Sequence, residues 1–182
     1  SLPRILYAGA YIESKGVLDL LNALKDITLP YACHLYGSGE LKERLQTSVT
    51  TNQLNNITIH DAIPHDELLK LYDSFDIVVQ PSLVAEAMPR SVLEALGAGK
   101  AVVTSNVGGA KGVITHGETG ILYDPYEQGA LRRALEMVLR DKTFRDTLAA
   151  NARHTVEPFT EKNVARTAQS LYSHVIKKAF PL

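Results

Sequence analysis

Cysteine is almost absent from this chain, and neither sign of charge predominates. Among the 182 residues there is one cysteine, and the formal net charge at pH 7 is −1. A single cysteine excludes an internal disulfide framework, so Cys33, within the strand-like segment 31–37, is interpreted as a small core residue. A charge near zero provides no extended surface for a polyanion. We therefore expect no nucleic-acid partner.

Long apolar runs are absent as well. A helix that crosses a bilayer needs roughly 20 consecutive apolar residues, and no segment of this sequence approaches that length. We therefore expect a cytoplasmic protein, peripheral at the inner face of a membrane at most. The chain enters a strand pattern directly after its first three residues. We also expect it to be part of a longer protein whose amino-terminal half lies outside this sequence.

Three common catalytic or cofactor patterns are missing. Residues 37–39 form a glycine pair without the third glycine and the later acidic residue of a dinucleotide-binding fingerprint, which disfavours NAD. No Asp-x-Asp occurs, and the six histidines show no metal-ligand spacing, so no metal site is predicted. Ser82 and Ser91 lack an elbow motif and a nearby histidine. We expect no bound cofactor.

Strand and helix patterns alternate along the chain, whose residues are 45% hydrophobic. Apolar runs predict strands at 4–9, 31–36, 57–60, 76–80, 101–104 and 120–123. Helical periodicity predicts helices at 16–24, 40–53, 64–73, 89–96, 108–114, 127–140, 142–156 and 161–178. Consecutive strands that are connected by helix-length segments are expected to pair in parallel within one sheet. The fold class is therefore α/β: a doubly wound, mostly parallel, Rossmann-like sheet of about six strands with helices on both faces, in one domain over residues 1–182.

The glycines, prolines and charged residues of interest follow the predicted strands. Such segments occur at 9–15, 37–39, 62–64, 81–90 and 106–109. In doubly wound sheets ligands bind outside the carboxyl ends of the strands. The coincidence favours one binding crevice, although the segment 106–109 is equally well explained as a turn alone.

Glu86 and Glu94 lie eight positions apart where a strand, a loop and a helix follow one another. Pro89 suits the first turn of that helix, and glycines after Leu96 stop it. Unpaired N–H groups at a helix start favour a phosphate, and two carboxylates beside them could hold sugar hydroxyls. The N–H groups predicted to point into the crevice are those of Arg90, Ser91 and Val92. The pattern outlines a nucleotide-sugar site; the alternative is a helix with two solvated glutamates.

Lys15 and Gly16 open the first predicted helix, just after the first strand. A lysine at that position can meet a diphosphate, and a glycine permits close approach of the backbone. A solvated lysine at a helix start is the alternative explanation.

Taken in order, these pieces resemble the carboxyl-terminal, donor-binding domain of retaining GT-B glycosyltransferases of family 4, often called group 1. The resemblance covers nearly the whole chain and rests on the ordered set of segments 15–16, 37–39, 71–82, 86–103, 108–109 and 116–123. It implies two Rossmann-like domains, with the donor bound mainly by the carboxyl-terminal one. It also implies transfer with retention, without a metal, from a UDP-, GDP- or ADP-sugar.

The resemblance assigns a role to each candidate residue. Glu86 would contact the transferred sugar and Lys15 the diphosphate, which makes these two the catalytic candidates. Glu94 would accept hydrogen bonds from the ribose. The remaining donor-binding candidates are Gly16, Gly37, Ile63 with its backbone near the base, and the helix-start residues Arg90, Ser91 and Val92.

Two departures from the family pattern concern phosphate binding. The arginine that commonly precedes the lysine by five residues is Ala10 here, and Arg90 is the candidate substitute. The frequent Gly-Phe-Gly after the first glutamate is replaced by residues 87–89, in which Pro89 removes one N–H donor. Donor affinity or donor type is the property that these changes affect.

The resemblance predicts the donor-binding half of a hexosyltransferase that acts on a glycan or lipid-linked acceptor, in cell-surface polysaccharide or lipopolysaccharide synthesis. The acceptor and any membrane contact would belong to the missing amino-terminal domain, so the isolated chain is expected to bind nucleotide weakly and transfer nothing. Two alternatives stay open. One is a nucleotide-sugar epimerase of related fold, and the other is a non-catalytic module that binds a nucleotide sugar.

Overall fold

A computed structural model describes residues 2–179, and its centre is a six-stranded parallel sheet. The strand order is β3-β2-β1-β4-β5-β6. The strands are β1 (Arg4–Ala8), β2 (Ala32–Tyr36), β3 (Ile57–His60), β4 (Ile77–Gln80), β5 (Ala101–Ser105) and β6 (Ile121–Tyr123). Every strand pair within the described residues is parallel. The predicted fold class is therefore confirmed.

Seven α-helices lie within residues 2–179. They are α1 (Val17–Lys25), α2 (Lys42–Thr51), α3 (His65–Leu71), α4 (Arg90–Gly97), α5 (Ala130–Arg140), α6 (Lys142–Thr155) and α7 (Glu161–Ala179). Short 3₁₀ turns occupy Glu13–Lys15, Tyr72–Ser74, Gly108–Gly112 and Glu157–Phe159.

Several predicted helices differ from the observed ones, and at three places the conformation of one residue explains the difference. The predicted helix at 108–114 is only a 3₁₀ turn, which begins at a glycine with φ of +70°. Helix α5 begins at Ala130 rather than 127, because Gly129 before it is left-handed. Pro89 has ψ of 112°, an extended value, so it precedes α4 instead of forming its first turn.

Two apolar clusters cover the two faces of the sheet. On one face α1 and α5 pack against the strands through residues such as Leu24, Leu35 and Leu135. On the other face α4 contributes Val92 and Leu96. Cys33 is fully buried in the first cluster, and this burial raises the pKa of its thiol. The interpretation of Cys33 as a core residue is confirmed.

Helix α7 differs from the others because its apolar stripe faces solvent. Val164, Leu171 and Val175 are each more than half exposed, and the main contact of α7 within residues 2–179 is the preceding turn Glu157–Phe159. None of the helices in this range is both long enough and apolar enough to cross a bilayer.

The core assignment predicts a large stability difference between two leucines. Leu35 is fully buried and Leu69, on α3, is 45% exposed. Leu35→Ala should lower the free energy of unfolding by about 2–5 kcal/mol, because it deletes buried methyl groups and leaves a cavity. Leu69→Ala should change it by about 0.5 kcal/mol or less. Urea unfolding of both variants checks this, and equal losses would contradict the assignment of the core.

Candidate functional site

A cavity of about 470 Å³ opens where the strand order reverses. Strand β1 lies between β2 and β4, so the chain leaves the carboxyl ends of β1 and β4 toward opposite sides and a crevice remains between them. The residues that line it come from the carboxyl ends of β1, β2 and β4, from the segments after β1 to β4, and from α3 and the first turns of α4. They are Ala8, Gly9, Ala10, Lys15, Tyr36, Gly37, Ser38, Ala62, Ile63, Leu68, Gln80, Glu86, Met88, Arg90, Ser91 and Glu94.

The structure brings seven of the nine predicted site residues into this lining. They are Lys15, Gly37, Ile63, Glu86, Arg90, Ser91 and Glu94. Gly16 and Val92 are the two that do not face the cavity. The placement is a geometric finding, and the roles of these residues stay predictions.

Lys15 and Glu86 form an ion pair at one side of the cavity. The Lys15 Nζ lies 2.9 Å from a carboxylate oxygen of Glu86, and both side chains are 29% exposed. Lys15 ends the turn Glu13–Lys15 after β1, and Glu86 lies in the loop after β4. The two loops at the switch point therefore each contribute one charge, and the two charges offset one another.

Gly16 brings those two loops together instead of facing a ligand. Its φ is +66°, in the left-handed region that favours glycine, and it immediately precedes α1. A Cβ on Gly16 would sit 1.9 Å from the carbonyl oxygen of Pro81. The close approach that the sequence indicated is therefore made to Pro81, at the start of the Glu86 loop.

Two side chains from other segments contact the carboxylate of Glu94, which lies on α4. Nε2 of His65 lies 2.9 Å from one carboxylate oxygen, and the Tyr72 hydroxyl donates to the other over 3.3 Å. Burial first, and then the charge of Glu94, raise the pKa of Tyr72, so its hydroxyl keeps the proton that it donates. Only 19% of the Glu94 side chain is exposed, toward the cavity that it lines.

The start of α4 faces the cavity with two residues instead of three. Arg90 and Ser91 line the cavity, and the first N–H groups of a helix have no partners within it. Val92 was predicted as a third, but it does not line the cavity. Its side chain is fully buried, and its N–H group already donates to the carbonyl oxygen of Pro89 over 3.1 Å.

The part of the cavity near the ends of β2 and β3 is lined mainly by apolar side chains. Tyr36, Ile63 and Leu68 line it, and Gly37 follows β2. A Cβ on Gly37 would sit 1.9 Å from the carbonyl oxygen of Gly9, so the loops after β1 and β2 approach closely at this glycine. This end is suited to a flat, partly apolar group such as a base.

Sequence reasoning left the role of Gly108 and Gly109 open, and the structure gives them one. The Gly109 N–H donates to the carbonyl oxygen of Glu86 over 2.7 Å. A Cβ on Gly109 would lie 1.8 Å from the carbonyl oxygen of Ala87, and one on Gly108 would lie 2.3 Å from that of Glu86. The pair therefore supports the backbone that carries the Glu86 carboxylate.

The sequence did not predict the contacts that three residues make at the site: His65, Tyr72 and Gln80. Gln80 lines the cavity, and its amide donates to the carbonyl oxygen of Ala8 and to the Ser91 hydroxyl. His65 and Tyr72 support Glu94 from two different segments. Tyr72 and Gln80 lie within the segment 71–82, but no role was evident from sequence for any of the three, because each acts through a neighbour that is distant in the chain.

Metal-ligating side chains do not gather in the part of the chain that the structure describes. No three His, Cys, Asp or Glu residues come together there. His34 and His60 do meet, with ring nitrogens 3.0 Å apart. Burial lowers the pKa of both, and the neighbouring His60 and Arg4 lower that of His34 further. No third ligand completes this pair within the described residues.

A second, somewhat larger cavity of about 570 Å³ lies between α1 and the start of α5. Its lining carries charges of both signs, among them Asp19, Lys25 and Arg133. It contains none of the predicted site residues and lies away from the reversal of strand order. The smaller cavity is therefore the candidate functional site.

Comparison with known proteins identifies the family of the chain. The model of the family described as "Glycosyl transferases group 1" matches residues 2–155. The chain is 31% identical over 172 residues to an uncharacterized glycosyltransferase, MJ1607, of Methanocaldococcus jannaschii. The aligned region covers 92% of this chain and 44% of that protein. The chain is 30% identical over 176 residues to the lipopolysaccharide 1,2-N-acetylglucosaminetransferase of Salmonella typhimurium, with coverages of 89% and 46%.

A solved structure shares the fold. Anabaena Alr3699/HepE, crystallised in complex with UDP and glucose, superimposes with a TM-score of 0.83 at 24% identity, covering 94% of this chain and 48% of that one. The chain thus spans slightly less than half the length of each of these proteins.

The tight contact at Gly109 predicts an asymmetric effect within one short turn. Gly109→Ala should lower the free energy of unfolding by about 1–3 kcal/mol, because the added methyl group overlaps the Ala87 carbonyl. Gly112→Ala is the matched control, since a Cβ there has no atom within 4 Å. Urea unfolding measures both effects. Equal stability of the two variants would show that the Glu86 loop does not need this support.

Proposed function

Because the chain belongs to the group 1 glycosyl transferase family, we propose that it is the donor-binding half of a retaining, metal-independent hexosyltransferase of family 4. The observation that carries the proposal is the convergence of Lys15, Glu86, Glu94 and the start of α4 on one cavity at the reversal of strand order. These groups complement the separate parts of a nucleoside-diphosphate sugar.

The diphosphate is assigned to the positive side of the cavity. The N–H groups of Arg90 and Ser91 begin α4, where an anion is favoured. The Lys15 ammonium carries three N–H donors, so it can contact a phosphate while it still donates to Glu86. As the bond from the anomeric carbon breaks, its electron pair goes to the phosphate oxygen, and these donors stabilise the developing charge.

The sugar and nucleoside are assigned to the carboxylates and to the apolar end. Glu86 contacts the transferred sugar, and Glu94 accepts hydrogen bonds from the ribose hydroxyls. The backbone of Ile63 meets the base, close to Tyr36. The guanidinium of Arg90 takes the place of the arginine that Ala10 replaces. No residue of this half is assigned as a general acid or base.

The rest of the enzyme is assigned to a second domain. The chain spans less than half of its relatives, one of which is a lipopolysaccharide N-acetylglucosaminetransferase. We therefore assign the glycan or lipid-linked acceptor, in polysaccharide or lipopolysaccharide synthesis, to an amino-terminal domain. The exposed apolar stripe of α7 would pack on that domain, which would also make any membrane contact at the cytoplasmic face.

The donor is a UDP-, GDP- or ADP-sugar. The structure of HepE in complex with UDP supports a UDP-sugar. The isolated chain transfers nothing.

A non-catalytic module that binds a nucleotide sugar is the second candidate. Ala10 favours it, because a neutral side chain stands at the cavity where the family commonly has a phosphate-binding arginine. The presence of Lys15, Glu86 and Glu94 in the same lining favours the enzyme. Joining the chain to its amino-terminal half and measuring sugar transfer separates the two candidates.

Nucleotide binding by the 182-residue chain tests the proposal directly. Calorimetry with UDP, GDP and ADP should detect weak binding of at least one. Glu94→Ala should weaken it roughly 10- to 100-fold, because the ribose hydroxyls lose a charged acceptor. Glu43→Ala, on an exposed residue of α2, is the matched control and should bind as the unchanged chain does. Absence of binding to all three nucleotides would remove the support for the enzyme, and an unaffected Glu94→Ala variant would overturn the ribose assignment.

A further inference from the structure

His65 connects the segment after β3 to the carboxylate of Glu94. It is the first residue of α3, and Glu94 lies about one turn inside α4. The 2.9 Å separation between Nε2 and the Glu94 oxygen is a normal hydrogen-bond length. The neutral ring can donate only if its proton is on Nε2, and the protonated ring donates in either case. The elements on either side of the cavity are thus joined through one side-chain contact.

The geometry leaves the cavity side of the carboxylate available. An ionised carboxylate can accept about four hydrogen bonds. His65 and Tyr72 take one on each oxygen, and neither residue lines the cavity that Glu94 lines. His65 and Tyr72 therefore hold the Glu94 carboxylate from outside the cavity, and each carboxylate oxygen keeps one acceptor position for a ligand. Two neighbouring hydroxyls, as on a ribose, match that pair of positions.

We infer that His65 is a positioning residue for nucleotide binding, which orients the Glu94 carboxylate toward the ribose. The inference rests on the proposed function and deepens it. The contact with Nε2 holds the carboxylate in one orientation, so its remaining acceptor positions stay directed at the ribose hydroxyls.

His65 can be changed without disturbing the core, and Tyr72 cannot. The His65 side chain is 54% exposed, whereas Tyr72 is almost fully buried.

A double-mutant cycle tests whether His65 acts through Glu94. In the unchanged chain, His65→Ala should weaken binding of the tightest-binding diphosphate about 10-fold, the loss expected for one hydrogen bond to a charged group. In a Glu94→Ala background the same change should weaken it by less than about twofold, because the group that His65 positions is gone. His154→Ala removes an exposed histidine from α6 and is the control. Urea unfolding of each variant monitors stability.

Rescue by a conservative variant separates positioning from a merely structural role. His65→Gln places an amide donor near the position of Nε2, so it should restore affinity to within about threefold of the unchanged chain. His65→Leu, which fills similar space without a donor, should bind as weakly as His65→Ala.

The outcomes distinguish this inference from the function on which it rests. If the unchanged chain binds none of the three diphosphates, the proposed function fails and the role of His65 fails with it. If it binds one and Glu94→Ala weakens that binding, but His65→Ala binds as the unchanged chain does, only the role of His65 is overturned. An equal loss from His65→Ala with and without Glu94 would also overturn it, because His65 would then not act through Glu94.

Discussion

The parallel pairing of β1 with β4 is the contact on which the candidate site depends. Ile5 pairs with Ile77 and Leu6 with Val78, in the buried centre of the sheet. The chain leaves the carboxyl ends of these two strands toward opposite sides, so the space above the pair stays open. Lys15 and Glu86 reach each other across that opening. This pairing is what brings Lys15 and Glu86, about seventy positions apart in the chain, close together.

Close backbone contacts hold the loops around this opening. Gly16 packs against Pro81, and Gly109 packs against Ala87 and donates to Glu86. At each contact a side chain would overlap a carbonyl oxygen, so the loops approach more closely than side chains would allow. The loop after β4 is also fastened by its own backbone, since Leu83 donates to the carbonyl oxygen of Ser14. Glu86 is therefore carried by a loop that is supported from two sides, which suits a group that must meet a ligand in one orientation.

The two carboxylates of the site each contact a nitrogen-bearing side chain. Lys15 pairs with Glu86, and Nε2 of His65 lies 2.9 Å from an oxygen of Glu94. Ala10 lines the same cavity and contributes no charge. In the proposed function, the donors at the start of α4 therefore take a larger share of the diphosphate charge than they would in a site with an additional cation.

Much of the fold was evident from sequence because its signals are local. Apolar strand runs, helical periodicity and glycines or prolines at the ends of elements predicted the parallel six-stranded sheet, and the structure confirms it. The errors fell where the backbone conformation of single residues decides a boundary, as at Pro89, Gly108 and Gly129.

By itself the sequence determined the elements, the segments that gather at the carboxyl ends of the strands, and the family. Only the tertiary structure decided which side chains touch. It pairs Lys15 with Glu86, buries Val92, and joins His65 and Tyr72 to Glu94. The physical reason is that a hydrogen bond depends on distances of a few ångströms between residues far apart in the chain. Periodicity specifies a face of a helix, but it does not specify what stands opposite.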